Sequence, residues 1–251
     1  MPSKVKVVFF DLDDTLYDHS YHVSSAIRAL RNEYPFLRGY SVEHLQQLSH
    51  RLLEEVHTQL LAGEISLQDS RRIRWQRFLD ECHDPERNHD PLTISSSYLK
   101  AYYASERVVP GALNLLSELK KDYTIGIISN NLLDEQLKKM RRLGISEYID
   151  LFAISEEVGA AKPDPKIFEV ALERAKANAE EAVFIGDSWN TDVAGALNSG
   201  IRPIWLNRHA AISPDPRIQE ISSFERPDLI FDYIRRDIPT PHITSTDPAK
   251  A

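Results

Sequence analysis

The chain has one cysteine, Cys82, so no disulfide can form within it, and a reducing environment suits it. No apolar run approaches the ~18 residues of a membrane-spanning helix. An excess of basic charge is missing too: 30 lysines and arginines stand against 38 aspartates and glutamates, a formal charge of −8. Such a surface repels a polyphosphate backbone, so neither a nucleic-acid polymer nor a membrane is expected as partner. The opening residues reach an acidic cluster at Asp11 before any apolar stretch of signal-peptide length, which points to a cytoplasmic protein. The nine histidines show no zinc-ligand spacing. What is present suffices for a core, with 42% hydrophobic and 27% charged residues. A length of 251 residues fits one large domain or two small ones.

Short apolar runs recur at Val5 to Phe10, Tyr123 to Ile128, Ala182 to Ile185 and Ile201 to Leu206, with a weaker one at Ile149 to Ile154. They hardly alternate, as expected for strands buried on both faces. Between them lie stretches of helical period at Leu113 to Leu119, Leu132 to Leu143 and Ile167 to Ala175, with Gly144 placed to end a helix. Strand and helix in alternation imply an α/β fold, a Rossmann-like doubly wound parallel sheet with helices on both faces.

The stretch from Tyr17 to Val108 breaks this rhythm, because it contains no strand run. Val42, Leu45, Leu48, Leu52, Val56 and Leu60 step by three and four residues between a capping Ser41 and a terminating Gly63. Further helices are predicted over Leu67 to Glu81 and Thr93 to Ala104. Arg71, Arg72, Arg74 and Arg77 alternate with Trp75 and Phe78, but helical spacing turns Trp75, Phe78, Leu79 and Cys82 inward and the arginines to solvent. Lys138, Lys139, Arg141 and Arg142 likewise read as an exposed helix face. The predicted organisation is an α/β core over residues 1–16 and 109–236, a helical insertion over 17–108, and a proline-marked flexible tail over 237–251.

Three strands end in a particular kind of residue. The first runs into Asp11-Leu12-Asp13-Asp14-Thr15, the second into Ser129-Asn130-Asn131, and a later one into Asp187 with Asp192 five positions on. In a parallel sheet these ends share one crevice, which Lys162, in an Ala-Lys-Pro-Asp-Pro turn, could also reach. Carboxylates brought together repel, and a divalent cation with oxygen ligands relieves them, magnesium being the natural choice beside a phosphate. A hydroxyl and a lysine suit the phosphate itself. One carboxylate can then attack phosphorus while another handles the leaving-group proton.

The segments Asp-Leu-Asp-Asp-Thr-Leu, Ile-Ile-Ser-Asn, Ala-Lys-Pro-Asp-Pro and Gly-Asp-Ser-Trp-Asn-Thr-Asp resemble, in order, the four motifs of the haloacid dehalogenase-like hydrolase superfamily. The helical insertion after the first motif resembles the cap of one branch of that superfamily. The resemblance implies a phosphatase of a small phosphorylated metabolite, of nucleotide or sugar phosphate type. Asp11 is then the nucleophile, and Asp13 the acid and later the base. Magnesium (Mg2+) is held by Asp11, Asp187 and the Asp13 backbone carbonyl. Ser129, Asn130 and Lys162 bind phosphate, and Asp192 supports Lys162 or the metal shell from one layer out. His19, His22 and Trp189 are candidate substrate contacts, although Trp189 could equally pack beneath its loop. The name-giving dehalogenases lack the second aspartate, so Asp13 argues against dehalogenation. A phosphomutase on the same core, or a non-enzymatic phospho-acceptor module, remains as an alternative.

Overall fold

A computed structural model of the chain describes residues 5–83 and 89–236; the predicted tail, 237–251, lies outside the described residues. The chain forms two compact units, one holding the segments up to Tyr17 and from Val108 onward, the other Asp18–Arg107. Strand β1 (Val7–Phe10) precedes the second unit, which contains helices α1 (His19–Glu33), α2 (Val42–Leu61), α3 (Leu67–Glu81) and α4 (Pro91–Ala104). The first unit resumes with α5 (Ala112–Leu119), β2 (Thr124–Ser129), α6 (Leu133–Arg142), β3 (Leu151–Ile154), α7 (Ser155–Val158) and α8 (Pro165–Ala175). It ends with β4 (Ala182–Gly186), α9 (Ala194–Asn198), β5 (Arg202–Leu206), β6 (Gln219–Ile221) and α10 (Pro227–Arg235).

The sheet order is β3-β2-β1-β4-β5-β6, with every pair parallel, the Rossmann-like arrangement expected. Every residue of β1 is buried, because both faces of a parallel sheet are covered by helices and no strand position is left for a polar side chain. Phe10, the last residue of β1, sits in register between Ile127 of β2 and Ile185 of β4, and β2 and β4 continue past it to Ser129 and Gly186. On one face Val7 and Phe9 pack with Ile167, Phe168 and Phe184, where the Phe168 and Phe184 rings meet edge-to-face at 5.6 Å. Strand β6 was not anticipated. Its Gln-Glu-Ile sequence buries only the isoleucine, which suffices at a sheet edge.

In the helical unit Ser41 caps α2 by accepting from the His44 amide at 3.1 Å, and Gly63 follows its end at φ +72°. Trp75, Phe78, Leu79 and Cys82 form the predicted buried stripe. Arg74 is less exposed than its pattern suggested: it donates to the Ser49 hydroxyl and lies over the Trp75 and Tyr98 rings. Helix α1 was missed because His22 and Ala26 take core positions beside Ile27 and Leu30, which blunts the apolar stripe. The two ends of this unit are joined to each other. The Asp18 amide donates to the Arg107 carbonyl at 3.2 Å, the Arg107 guanidinium pairs with the Asp18 carboxylate at 2.6 Å, and the Arg107 amide donates to His22 Nε2 at 2.7 Å. Among the described residues no helix is long and apolar enough to cross a membrane.

Phe168 is fully buried at the centre of this core. We expect Phe168→Ala to cost about 3–5 kcal/mol in denaturant unfolding, the range for emptying an aromatic core position; a loss below about 1 kcal/mol would show that the site collapses around the smaller side chain.

Candidate active site

The neighbouring carboxyl ends of β1, β2 and β4 bring Asp11, Ser129 and Asp187 to one cavity of about 190 Å³, lined also by Asp13, Asn130, Lys162, Ser188, Thr191 and Asp192. Lys162, on the approach to α8, is the charge at its centre. Its Nζ donates to Asp11 Oδ1 at 2.6 Å and to Asp192 Oδ1 at 2.7 Å, and its side chain is only 3% exposed. Burial works against that ammonium, but the attraction of the two carboxylates outweighs it and holds Lys162 above the usual lysine range. Asn130 fixes the lysine's backbone from both sides, accepting from the Lys162 amide at 2.7 Å and donating to the Lys162 carbonyl at 2.9 Å. Its side-chain amide is thus spent on placing the lysine, although Asn130 still lines the cavity.

Asp192 lies in a π-helical turn, Trp189–Val193, opened by Ser188. Its carboxylate crosses directly over Gly186: a Cβ there would stand 2.4 Å from Asp192 Oδ2. Only glycine at the end of β4 lets Asp192 reach the lysine. Trp189 in the same turn faces away from the cavity lining and meets Trp205 edge-to-face at 5.1 Å, beside Val193 and Ile218. His19 is in the helical unit, its Nδ1 hydrogen-bonded to the Tyr102 hydroxyl at 2.8 Å, and His22 is buried against Arg107 in the same unit.

Asp11, Asp187 and Asp192 each offer a carboxylate oxygen within 4.8 Å of the others. Burial first, and neighbouring carboxylates after it, push the Asp11 carboxyl up to about 7 and that of Asp187 up to about 8. Lys162 offsets part of this at Asp11, and the Thr15 hydroxyl donates to Asp187 at 3.3 Å. An all-oxygen donor set in which Asp11 and Asp187 retain protons against their ordinary acidity is short of positive charge, which suits a hard divalent cation.

The helix α6 face departs from expectation. Lys139, read from the sequence as exposed with Lys138, Arg141 and Arg142, is buried, 8% exposed, and its Nζ donates to Asp13 Oδ1 at 2.6 Å and Oδ2 at 2.9 Å. Gln136, one turn earlier and fully buried, donates from Nε2 to Asp13 Oδ2 at 2.9 Å and to Ser129 Oγ at 2.7 Å. Neither was picked out as a site residue. The signal was available, since both lie on the stripe of Leu132, Gln136, Lys139 and Leu143 that steps by four, three and four, where apolar residues belong.

A model of the haloacid dehalogenase-like hydrolase family matches residues 5–200. The chain belongs to this family. Among curated relatives, a glyceraldehyde 3-phosphate phosphatase of Methanothermobacter thermautotrophicus is 34% identical, over 81% of this chain and 86% of its own. The pyrimidine 5'-nucleotidase YjjG of Escherichia coli is 29% identical over 83% and 88%. Among solved structures, a 2-haloacid dehalogenase of Pseudomonas syringae superposes with a TM-score of 0.60 at 31% identity, covering 91% of this chain and 99% of that one. Proteins similar to this one thus bear phosphatase, nucleotidase and dehalogenase names.

The raised Asp11 and Asp187 set a pH dependence. At these two groups the folded protein retains protons that the unfolded chain releases above about pH 4, so without divalent cations their contribution to stability is greatest at the acid end and declines as pH rises towards about 8, against a smaller opposite contribution from His22, whose imidazole burial holds below its usual range. Thermal melts in chelator should show the midpoint falling from about pH 5 to about pH 8. A midpoint that rises over this interval would contradict the charge deficit at the site.

Proposed function

We propose that this hydrolase is a magnesium-dependent phosphatase acting on a small phosphorylated metabolite of nucleotide or sugar phosphate type, through an aspartyl-phosphate intermediate. The observation that carries the reading is the buried Asp11–Lys162 pair, 2.6 Å apart, in a cavity that Asp13 and Ser129 also line. Two curated relatives bearing phosphatase and nucleotidase names support it. The similarity to a haloacid dehalogenase is outweighed by Asp13, an acid–base group for the leaving oxygen that displacement of a halide does not need.

In this reading one Asp11 oxygen attacks phosphorus, the bond from phosphorus to the leaving oxygen breaks, and its electron pair takes the proton that Asp13 supplies. Lys162 binds one Asp11 oxygen and leaves the other to attack, while it and the Ser129 hydroxyl meet the charge on the phosphoryl oxygens. Asp13 then accepts a proton from water, whose oxygen attacks phosphorus, breaks the acyl phosphate bond, releases inorganic phosphate and restores Asp11. Magnesium, held by Asp11, Asp187 and the Asp13 backbone carbonyl, would neutralise charge on the transferring group. Asp192 keeps the lysine in place.

A volume of about 190 Å³ accommodates a phosphoryl group and little more, below the ~300 Å³ at which pockets for whole small molecules begin. Selection among substrates therefore falls to other surfaces, and the helical unit is assigned that role as a cap.

Phosphate release from a panel of nucleotides, sugar phosphates and triose phosphates, with magnesium and with chelator, tests the proposal. Metal-dependent release concentrated on a few substrates is the expected result, and Asp11→Asn should remove it by at least about 10⁴-fold while the fold survives. Near wild-type release by Asp11→Asn would refute the nucleophile, and phosphate retained on the protein without turnover would favour a phospho-acceptor. Asp13→Asn should lose roughly 10²–10⁴-fold on alkyl phosphates and far less on p-nitrophenyl phosphate, whose leaving group needs no proton. Equal losses on both would remove Asp13 from the acid role.

A further inference from the structure

We propose that Gln136 and Lys139 of α6 are positioning residues for the reaction, aligning the Asp13 carboxylate and the Ser129 hydroxyl as one unit. The inference rests on the reading of Asp13 as the group that exchanges a proton with the leaving oxygen.

Three features of the contact point beyond packing. The first is the chemistry of the pair. Lysine offers only donors, and Lys139 engages both oxygens of Asp13 while its ammonium also stands 5.0 Å from the Tyr17 ring centre, so the carboxylate is held in one plane instead of rotating. The second is that the Gln136 amide nitrogen has two hydrogens and two acceptors, Asp13 Oδ2 and Ser129 Oγ. The Ser129 oxygen thereby accepts, and its own hydrogen is left to point into the cavity that Ser129 lines, where a phosphoryl oxygen would receive it.

The third is an orphan. Gln136 Oε1 is buried without a hydrogen-bond partner, an arrangement that costs stability. Reversing the amide would aim that oxygen at the Asp13 carboxylate, so the acidic group dictates which way the amide faces. A glutamine serving stability alone would be better replaced by leucine at this buried position. Together the two residues connect Asp13, on the loop after β1, to Ser129, at the end of β2, through a helix that contributes no motif of its own.

Lys139→Met and Gln136→Leu test the proposal, read as kcat and KM on an alkyl phosphate and on p-nitrophenyl phosphate. Lys139→Met should lower kcat for the alkyl substrate by roughly 10- to 100-fold, the size of a misaligned reacting group, with KM nearly unchanged and a much smaller loss on the aryl substrate. Gln136→Leu should lower kcat on both substrates, because Ser129 serves both. In the Asp13→Asn background, Lys139→Met should add no further loss, since it acts through Asp13. Equal losses on the two substrates from Lys139→Met, or full additivity with Asp13→Asn, would overturn the inference while leaving the phosphatase reading intact. A substrate-independent effect of Asp13→Asn itself would instead remove the reading beneath it. Should Lys139→Met fail to fold, Lys139→Arg decides: the retained cation should keep the alkyl-to-aryl ratio within a few-fold of wild type, and a collapse of that ratio would overturn the role of the charge.

Discussion

One buried ammonium makes this site tenable. Asp11 and Asp192 sit almost without solvent, and each carboxylate raises the cost of ionising its neighbours. Lys162 between them converts repulsion into two short ion pairs. Much of the surrounding structure exists to deliver that lysine. Asn130 grips its backbone through both amide atoms, β4 ends in a residue without a side chain so that Asp192 can pass, and the parallel register of β1, β2 and β4 sets Ser129 and Asp187 one position beyond Asp11 on the neighbouring strands. Loss of any of these would leave a buried charge unmatched, and such errors are costlier than an absent surface contact.

The charges divide by function. Lys162 serves the carboxylate assigned to attack, and Lys139 serves the one assigned to proton exchange. Asp187 takes a hydroxyl from Thr15 but, among the described residues, no ammonium within hydrogen-bonding distance. In the proposed reading it is the carboxylate left for a divalent cation. Two fixed cations keep a cluster of acids apart in role while they share a small volume.

What the sequence made legible follows from how strongly each position is constrained. Strands such as Val7–Phe10 are buried on both faces and leave a continuous apolar run, and residues at strand ends are polar against that background, so Asp11, Ser129 and Asp187 stand out. Helix α1 and strand β6 did not, since one places a histidine in its core and the other needs a single apolar residue at a sheet edge. Lys139 was hidden by its company. Among Lys138, Arg141 and Arg142 it looks like part of a solvated cationic face, and only its phase on the helix, shared with Gln136 and the flanking leucines, marks it as inward. Composition described the charge correctly and its direction wrongly, because direction depends on a partner more than a hundred positions away in the chain.

The helical unit begins and ends at residues bonded to one another, Asp18 and Arg107, and the core closes over the gap with its own bridge between Tyr17 and Val108. Its entry and exit are thus a single seam. A segment whose ends already meet asks little of its host to admit it, because the loop-closure entropy is met inside the segment. It behaves as a cassette: its interior can drift, be grafted from a homologue or be rebuilt while the strand ends keep their alignment. Evolution of a new specificity in this chain need not pass through the residues that hold its charges together.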